Sequence, residues 1–257
     1  MTVSKLAQNL RGSEIIKIAG EINELKRQGQ NIANLTIGDF DSDIYPIPAP
    51  LKAGIVEAYN ANQTNYPPAD GMLNLRESVS GFLKERYNLD YKATQILISG
   101  GSRPLIYSIY LAVVNPGERV VFPAPSWNNN HYCDLLNAEA VIVQTTPEHN
   151  FMPTADDIRP HIKGAALLSL CSPLNPTGTM FSKKDLEEIC DLVIAENKTR
   201  AAGEKPLYLL YDQIYSQLTF GKHEHVNPVS LRPELKDYVI FVDGASKCFA
   251  STGVRVG

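Results

Sequence analysis

From residue 95 onward the chain alternates between short apolar runs and longer stretches with helical periodicity. The runs fall at residues 96–99, 119–122, 140–144, 165–171, 207–211 and 239–242. They lack the polar–apolar alternation of a strand with one wet face, which is the pattern of strands covered on both sides. One helical stretch follows the first run, from residue 102 to about 114. Another spans 182–196, with Leu186, Ile189, Val193 and Ile194 at helical spacing. Ser182 stands three residues before Asp185 there, as in a capping box. Strands spaced by helices predict an α/β fold, a mostly parallel sheet with helices on both faces.

The first hundred residues read differently. Ile15, Ile18, Ile22 and Leu25 share one face of a helix predicted over 13–28, with Ser13 able to cap it and Gly29 able to end it. Pro46, Pro48, Pro50, Pro67 and Pro68 predict extended chain and loops. A second amphipathic helix is predicted over 73–86, burying Leu75, Val79, Phe82 and Leu83. The polar stretch 196–206 predicts a surface loop.

With 257 residues the chain is a large domain or two small ones. Lys and Arg total 24 against 28 Asp and Glu, a net charge of −4 that supplies no basic face for nucleic acid. No apolar run has membrane-spanning length, and the first ten residues lack the apolar core of a signal peptide. Cys133, Cys171, Cys190 and Cys248 show no CxxC pairing, so reduced thiols and a cytoplasmic enzyme are expected.

In an open parallel sheet, ligands bind beyond the carboxyl ends of the strands. Gly100-Gly101-Ser102-Arg103 follows the first run and opens a helix, a place where backbone N–H groups can meet an anion or simply turn the chain. The only tryptophan, Trp127, follows the second run and suits either ring stacking or the core. The fourth run leads to Asn175-Pro176-Thr177-Gly178, a rigid turn. Asp212 ends the fifth, as a charge awaiting a cation or as a helix cap, with Tyr215 three residues on. Lys247 and Arg255 follow the sixth; a lysine there is a solvated group or a nucleophile of lowered pKa.

Tyr66-Pro-Pro-Ala-Asp-Gly71 with Leu75-Arg76, Asn175-Pro-Thr-Gly178, Asp212-Gln-Ile-Tyr215 and Ser246-Lys247-Cys-Phe-Ala-Ser-Thr-Gly253-Val-Arg255-Val-Gly257 together resemble the class I/II aminotransferases, of fold type I. The resemblance runs from about residue 34 to 257. It implies pyridoxal 5'-phosphate as cofactor, held by Lys247 as an internal aldimine, and Lys247 as the proton carrier of a ping-pong cycle between an L-amino acid and a 2-oxo acid. It implies Asp212 on the pyridine nitrogen, Asn175 and Tyr215 on the phenolate oxygen, and Trp127 on the ring face. Gly101, Ser102 and Arg255 match phosphate contacts, and Ser246 or a backbone amide is expected to substitute there for the serine that position 244 lacks. Tyr66 matches a residue reaching the neighbouring site of a homodimer, and Gly38 a backbone position near the substrate carboxylate, where Asn175 also contributes.

The resemblance further divides the chain into an arm and part of a small domain (1–45) and the large cofactor-binding domain (46–257), incomplete at its C-terminal end. The segment opening at Thr252 matches an antiparallel strand inside the sheet, so the 257 residues are expected to be a portion of a longer chain. Gly244 stands where the family often has a serine on the phosphate, and Arg103-Pro104 is unusual in the helix that follows Ser102. A C–S β-lyase of the same fold is the alternative, since the same lysine and cofactor serve both. An amino-acid-sensing regulator is disfavoured, with only about thirty residues ahead of Leu35. His223 and His225 are expected to be solvated rather than metal ligands, and no metal is expected.

Overall fold

A computed structural model of the chain describes residues 2–10, 12 and 14–257. Two compact units divide it, Met1–Ile47 and Pro48–Gly257. The first holds α1 (Lys5–Asn9), whose Ser4 hydroxyl accepts the Ala7 N–H, and α2 (Glu14–Arg27). The expected Ser13 cap lies outside the described residues. Gly29 ends α2 as expected, in the left-handed region at φ 87°, where glycine carries no Cβ penalty. Within α2 only Ala19 is buried, and Ile15 and Ile18 remain exposed.

The second unit opens with α3 (Ala49–Asn60), a helix where prolines predicted loops. Pro48 precedes it and Pro50 stands in its first turn, where a missing N–H costs nothing. The next helix, α4 (Leu73–Tyr87), appears at the expected place with a different buried side: Arg76 and Leu83 are buried, while Leu75 and Phe82 are exposed. Arg76 earns its burial by three pairings. Its Nε donates to the Gly71 carbonyl at 3.1 Å, and its Nη1 donates to the Ala93 carbonyl and pairs with Asp70, both at 2.9 Å.

There follow α5 (Ser102–Val113), β1 (Arg119–Ala124), α6 (Asn129–Leu136), β2 (Glu139–Gln144), α7 (Ala155–Ile162), β3 (Leu167–Cys171), α8 (Lys183–Thr199), β4 (Tyr208–Asp212), α9 (Pro228–Leu231), β5 (Val239–Val242) and α10 (Ala245–Cys248). The strands form one five-stranded sheet in the order β2-β1-β3-β4-β5, every pair parallel. Alternate strand residues fill two cores, one on each face. Val121, Leu168, Leu170, Leu209 and Tyr211 pack with Ile158, Leu186 and Ile189. Val120, Phe122, Leu167, Leu210 and Val242 pack with Tyr110, Tyr132 and Leu136. This is why the runs looked continuously apolar: both registers of the pleat are buried.

Three expectations are corrected. Residues 96–99 join no ladder of the sheet; the Ile98 N–H goes to the Asp70 carbonyl, and Ser99 exchanges two hydrogen bonds with Gly257 at 2.8 and 3.1 Å. Residues 252–254 form a turn, so the expected antiparallel strand does not open at Thr252; past the turn Gly257 pairs with Ser99, and the Val256 carbonyl accepts the Ala245 N–H at 3.2 Å. The loop after α8 starts later than expected, because the helix runs to Thr199. Arg200 then tucks in, donating to the Lys205 and Ala165 carbonyls at 2.7 Å.

Leu186 is fully buried in α8, whereas the Ser182 hydroxyl caps that helix by accepting the Asp185 N–H at 3.1 Å. Leu186→Ala should therefore lower unfolding stability by about 3 kcal/mol and Ser182→Ala by about 1 kcal/mol, measured in urea by circular dichroism. Equal losses would contradict this placement of the core.

Candidate functional site

The parallel ladder aligns the carboxyl ends of adjacent strands: Cys171 is paired with Asp212, and Asp212 with Val242. The loops leaving β1, β3, β4 and β5 therefore emerge side by side. They carry Trp127, Asn175, Asp212 with Tyr215, and Lys247.

Asp212 is the last residue of β4 and half-buried. Desolvation pushes its pKa up to about 6, and the nearby Asp243 carboxylate pushes the same way against one Ile214 N–H at 3.1 Å. The residues that follow, 214–217, form a turn rather than a helix, which removes the cap reading. A desolvated carboxylate of this kind is suited to a cationic partner. Beside it the Asn175 amide donates to the Tyr215 hydroxyl at 3.2 Å. Burial, with Cys171 and Asp212 adding, pushes the Tyr215 pKa up to about 12. Lys247 lies in α10, half-buried, with Nζ 5.9 Å from the centre of the Tyr215 ring. It is not a solvated surface lysine.

An anion cradle adjoins this group. Gly101 precedes α5 with φ 99°, and a Cβ built there would lie 2.2 Å from Arg255 Nη2. Only glycine lets the guanidinium lie against the turn. Arg255, itself left-handed at φ 58°, donates from Nη1 to the Thr252 carbonyl at 2.7 Å. Ser102 opens α5 at its positive end and donates to the Asp243 carbonyl at 3.1 Å. A Cβ at Gly244 would meet the Val256 carbonyl at 2.8 Å and Ser102 Oγ at 3.1 Å. A side chain at Gly244 would therefore require the Val256–Gly257 backbone to shift. Ser246 is buried in α10, its carbonyl accepting the Ser251 N–H at 2.9 Å.

Trp127 is exposed beyond β1 rather than in the core, with the Arg103 guanidinium 5.9 Å from its ring centre. Its loop is anchored from below by Asn129, whose Oδ1 accepts from Tyr110 at 2.8 Å and Ser169 at 2.9 Å while its amide donates to Ser126 at 3.2 Å. Tyr66 is fully exposed. Gly38 belongs to the other unit, in a tight turn closed by the Asp39 N–H on the Ile37 carbonyl at 2.8 Å.

Sequence reasoning passed over Asn129, Gln213 and Asp243. The strand-end rule that selects Asp212 applies equally to Asp243, which follows β5 directly. Asn129 carries no such signal, because the donors to its Oδ1 are 19 and 40 residues away in sequence. His225 is also corrected: it is half-buried between Tyr87 and Tyr211, at ring distances of 5.8 and 5.9 Å, and not solvated. Burial pushes its pKa down to about 4.

Anion donors (the Gly101–Ser102 turn and Arg255), an acceptor for a cation (Asp212), a hydrogen-bonding pair between them and an amine together suit a flat heteroaromatic phosphate. The family description "aminotransferase class I and II" matches residues 30–257. Among relatives, a probable aspartate/prephenate aminotransferase of Rhizobium leguminosarum bv. phaseoli is 29% identical over 96% of this chain and 60% of its own length. A bifunctional aspartate and glutamate/aspartate-prephenate aminotransferase of Petunia hybrida is 32% identical over 100% of this chain and 52% of its own. The solved aspartate aminotransferase of Thermus thermophilus with maleate superposes with a TM-score of 0.88 at 28% identity, over 100% of this chain and 64% of that one. This chain thus spans about 60% of the length of such relatives. By the matched residues, the fold and the strand-end constellation alike, the chain belongs to the class I and II aminotransferase family.

Proposed function

We propose that the chain is the cofactor-binding part of a pyridoxal-phosphate-dependent aminotransferase that moves an amino group from an L-amino acid to a 2-oxo acid. The observation that carries this reading is the gathering of Asp212, the Asn175–Tyr215 pair and Lys247 at neighbouring strand ends, next to the Gly101–Ser102–Arg255 cradle. Residues 46–257 act as the large domain and residues 1–45 as an arm with part of a small one.

Bound there, the cofactor supplies an electron-accepting ring that makes loss of the substrate Cα proton feasible. Gly101, Ser102 and Arg255 bind its phosphate, Arg255 by charge-assisted donation, with Ser246 completing the cup. Asp212 holds a proton on the ring nitrogen. Asn175 and Tyr215 orient the ring oxygen, and Trp127 covers one ring face and excludes water. Lys247 first holds the cofactor, then moves a proton at the substrate Cα. Asn175 also meets the substrate carboxylate. The full exposure of Tyr66, on a segment followed by the turn that Arg76 braces, supports a homodimer in which it reaches the neighbouring phosphate. Among the described residues no helix is long and apolar enough to cross a membrane and all four cysteines are free, which supports a cytoplasmic setting.

With pyridoxal phosphate added, the protein should gain a visible absorption band that Lys247→Ala lacks. Single L-amino acids, aspartate first given the relatives' names, should bleach the band, and 2-oxoglutarate should restore it. Release of ammonia and pyruvate with the band intact would instead make the protein a lyase.

Gly101→Ala forces a methyl group into the Arg255 guanidinium at a φ that alanine resists. It should weaken cofactor binding by about tenfold or more while leaving the secondary structure intact, as read by equilibrium dialysis and circular dichroism.

Cofactor uptake should also depend on pH. Asp212 is charged above about pH 6 and neutral below it. Its raised pKa means that the folded state holds this proton more tightly than the unfolded chain does. The group therefore favours the fold at lower pH, and that contribution is lost as pH rises through about 6. Binding a cationic ring runs the opposite way. Affinity should fall as pH drops from 7 to 5, approaching tenfold per unit at most by proton linkage, and Asp212→Asn should flatten the profile.

A further inference from the structure

On the side of the site away from Trp127, the ends of β4 and β5 share a polar network to which the steps above assign no task. Asp243 follows β5 directly and is half-buried. Its Oδ2 accepts from Gln213 Nε2 at 3.0 Å and from Ser216 Oγ at 3.3 Å, and its Oδ1 accepts the Gly244 N–H at 2.7 Å. Gln213 is fully buried; its Oε1 accepts from Asn227 Nδ2 at 2.8 Å and faces His225 Nε2 at 3.3 Å. The backbone joins the same elements, with the Gln213 N–H on the Val242 carbonyl at 2.9 Å. The Asp243 carbonyl takes the Ser102 hydroxyl at 3.1 Å.

One residue therefore touches three segments: the turn after β4 with Asp212 and Tyr215, the turn into α10 with Lys247, and the phosphate turn at Ser102. A desolvated carboxylate is an expensive brace, since apolar packing holds strand ends at lower cost. Its three donors all suit the ionised form, and its charge is felt at Asp212.

We propose that Asp243 is a positioning residue for this site: its carboxylate fixes the Lys247 turn against the Asp212–Tyr215 turn, and its carbonyl fixes Ser102. This rests on the cofactor reading above. Asp243→Asn tests it, because an amide must turn its NH2 group toward either the Gln213 amide donor or the Gly244 N–H. Adding Gln213→Glu supplies an acceptor to that amide and keeps the acceptor for Asn227.

The protein is titrated with pyridoxal phosphate, following Trp127 fluorescence for Kd and the bound cofactor's absorbance for its pH midpoint. Asp243→Asn should raise Kd by about tenfold, and the double variant should return it to within about threefold of the parent. The pH midpoint should fall by about one unit in Asp243→Asn, a change that mere loosening of the fold would not produce. If Asp243→Asn does not fold, Ser216→Ala carries the test: removing one donor should raise Kd by about threefold, and Ser216→Thr, which keeps the hydroxyl, should restore it. An unaltered Kd and midpoint in the folded variant, or a loss that the double variant fails to recover, overturns the positioning role alone. A parent without a Lys247-dependent band overturns the cofactor reading itself.

Discussion

The parallel hydrogen bonding of β3, β4 and β5 is the constraint on which the site depends. Register in a buried sheet cannot slip by one residue without sending every side chain to the opposite face. Here both faces are filled, by Leu168, Leu209 and Tyr211 on one side and Leu167, Leu210 and Val242 on the other. Packing thus locks Cys171, Asp212 and Val242 in one line. The segments beyond that line have no freedom over where they begin. Chemistry that needs a carboxylate, an amide–phenol pair and an amine within reach of one another receives its spacing from aliphatic side chains several residues away.

The same geometry explains the electrostatics. The turns that follow β4 and β5 cover both strand ends, so charges placed there lose water. Asp212 and Asp243 occupy adjacent strand ends and both have raised pKa values with desolvation as the leading cause. The two are satisfied differently. Among the described residues Asp243 gathers three donors, whereas Asp212 has the Ile214 N–H. That asymmetry separates a carboxylate used to hold the protein together from one held ready for something cationic.

Most of the sheet and its helices could be read from the chain, because continuous apolar runs of four to seven residues have few other homes. What could not be read depended on long-range partners. Residues 96–99 have strand composition, yet their backbone groups pair with Asp70 and Gly257, which no local pattern announces. The helix at Ala49–Asn60 was hidden by prolines whose positional meaning, first turn rather than interior, appears only once the start of the helix is known. Among the site residues, Lys247, Asp212, Asn175 and Tyr215 stood out through motif and strand-end position. Asn129 did not, since its role is to join α5, α6 and β3 beneath the Trp127 loop.

Gly101, Gly244 and Gly257 interlock around Ser102 so closely that a methyl group on any of them would collide with backbone or with Arg255. Such a pocket is cut by main chain, and its shape is indifferent to side-chain fashion at those positions. Drift in this lineage, or a designer seeking a different anion, has no room for gradual enlargement or narrowing there. Adaptation of the cradle has to come through the few side chains that border it, Ser102, Arg103 and Arg255, or by moving whole turns.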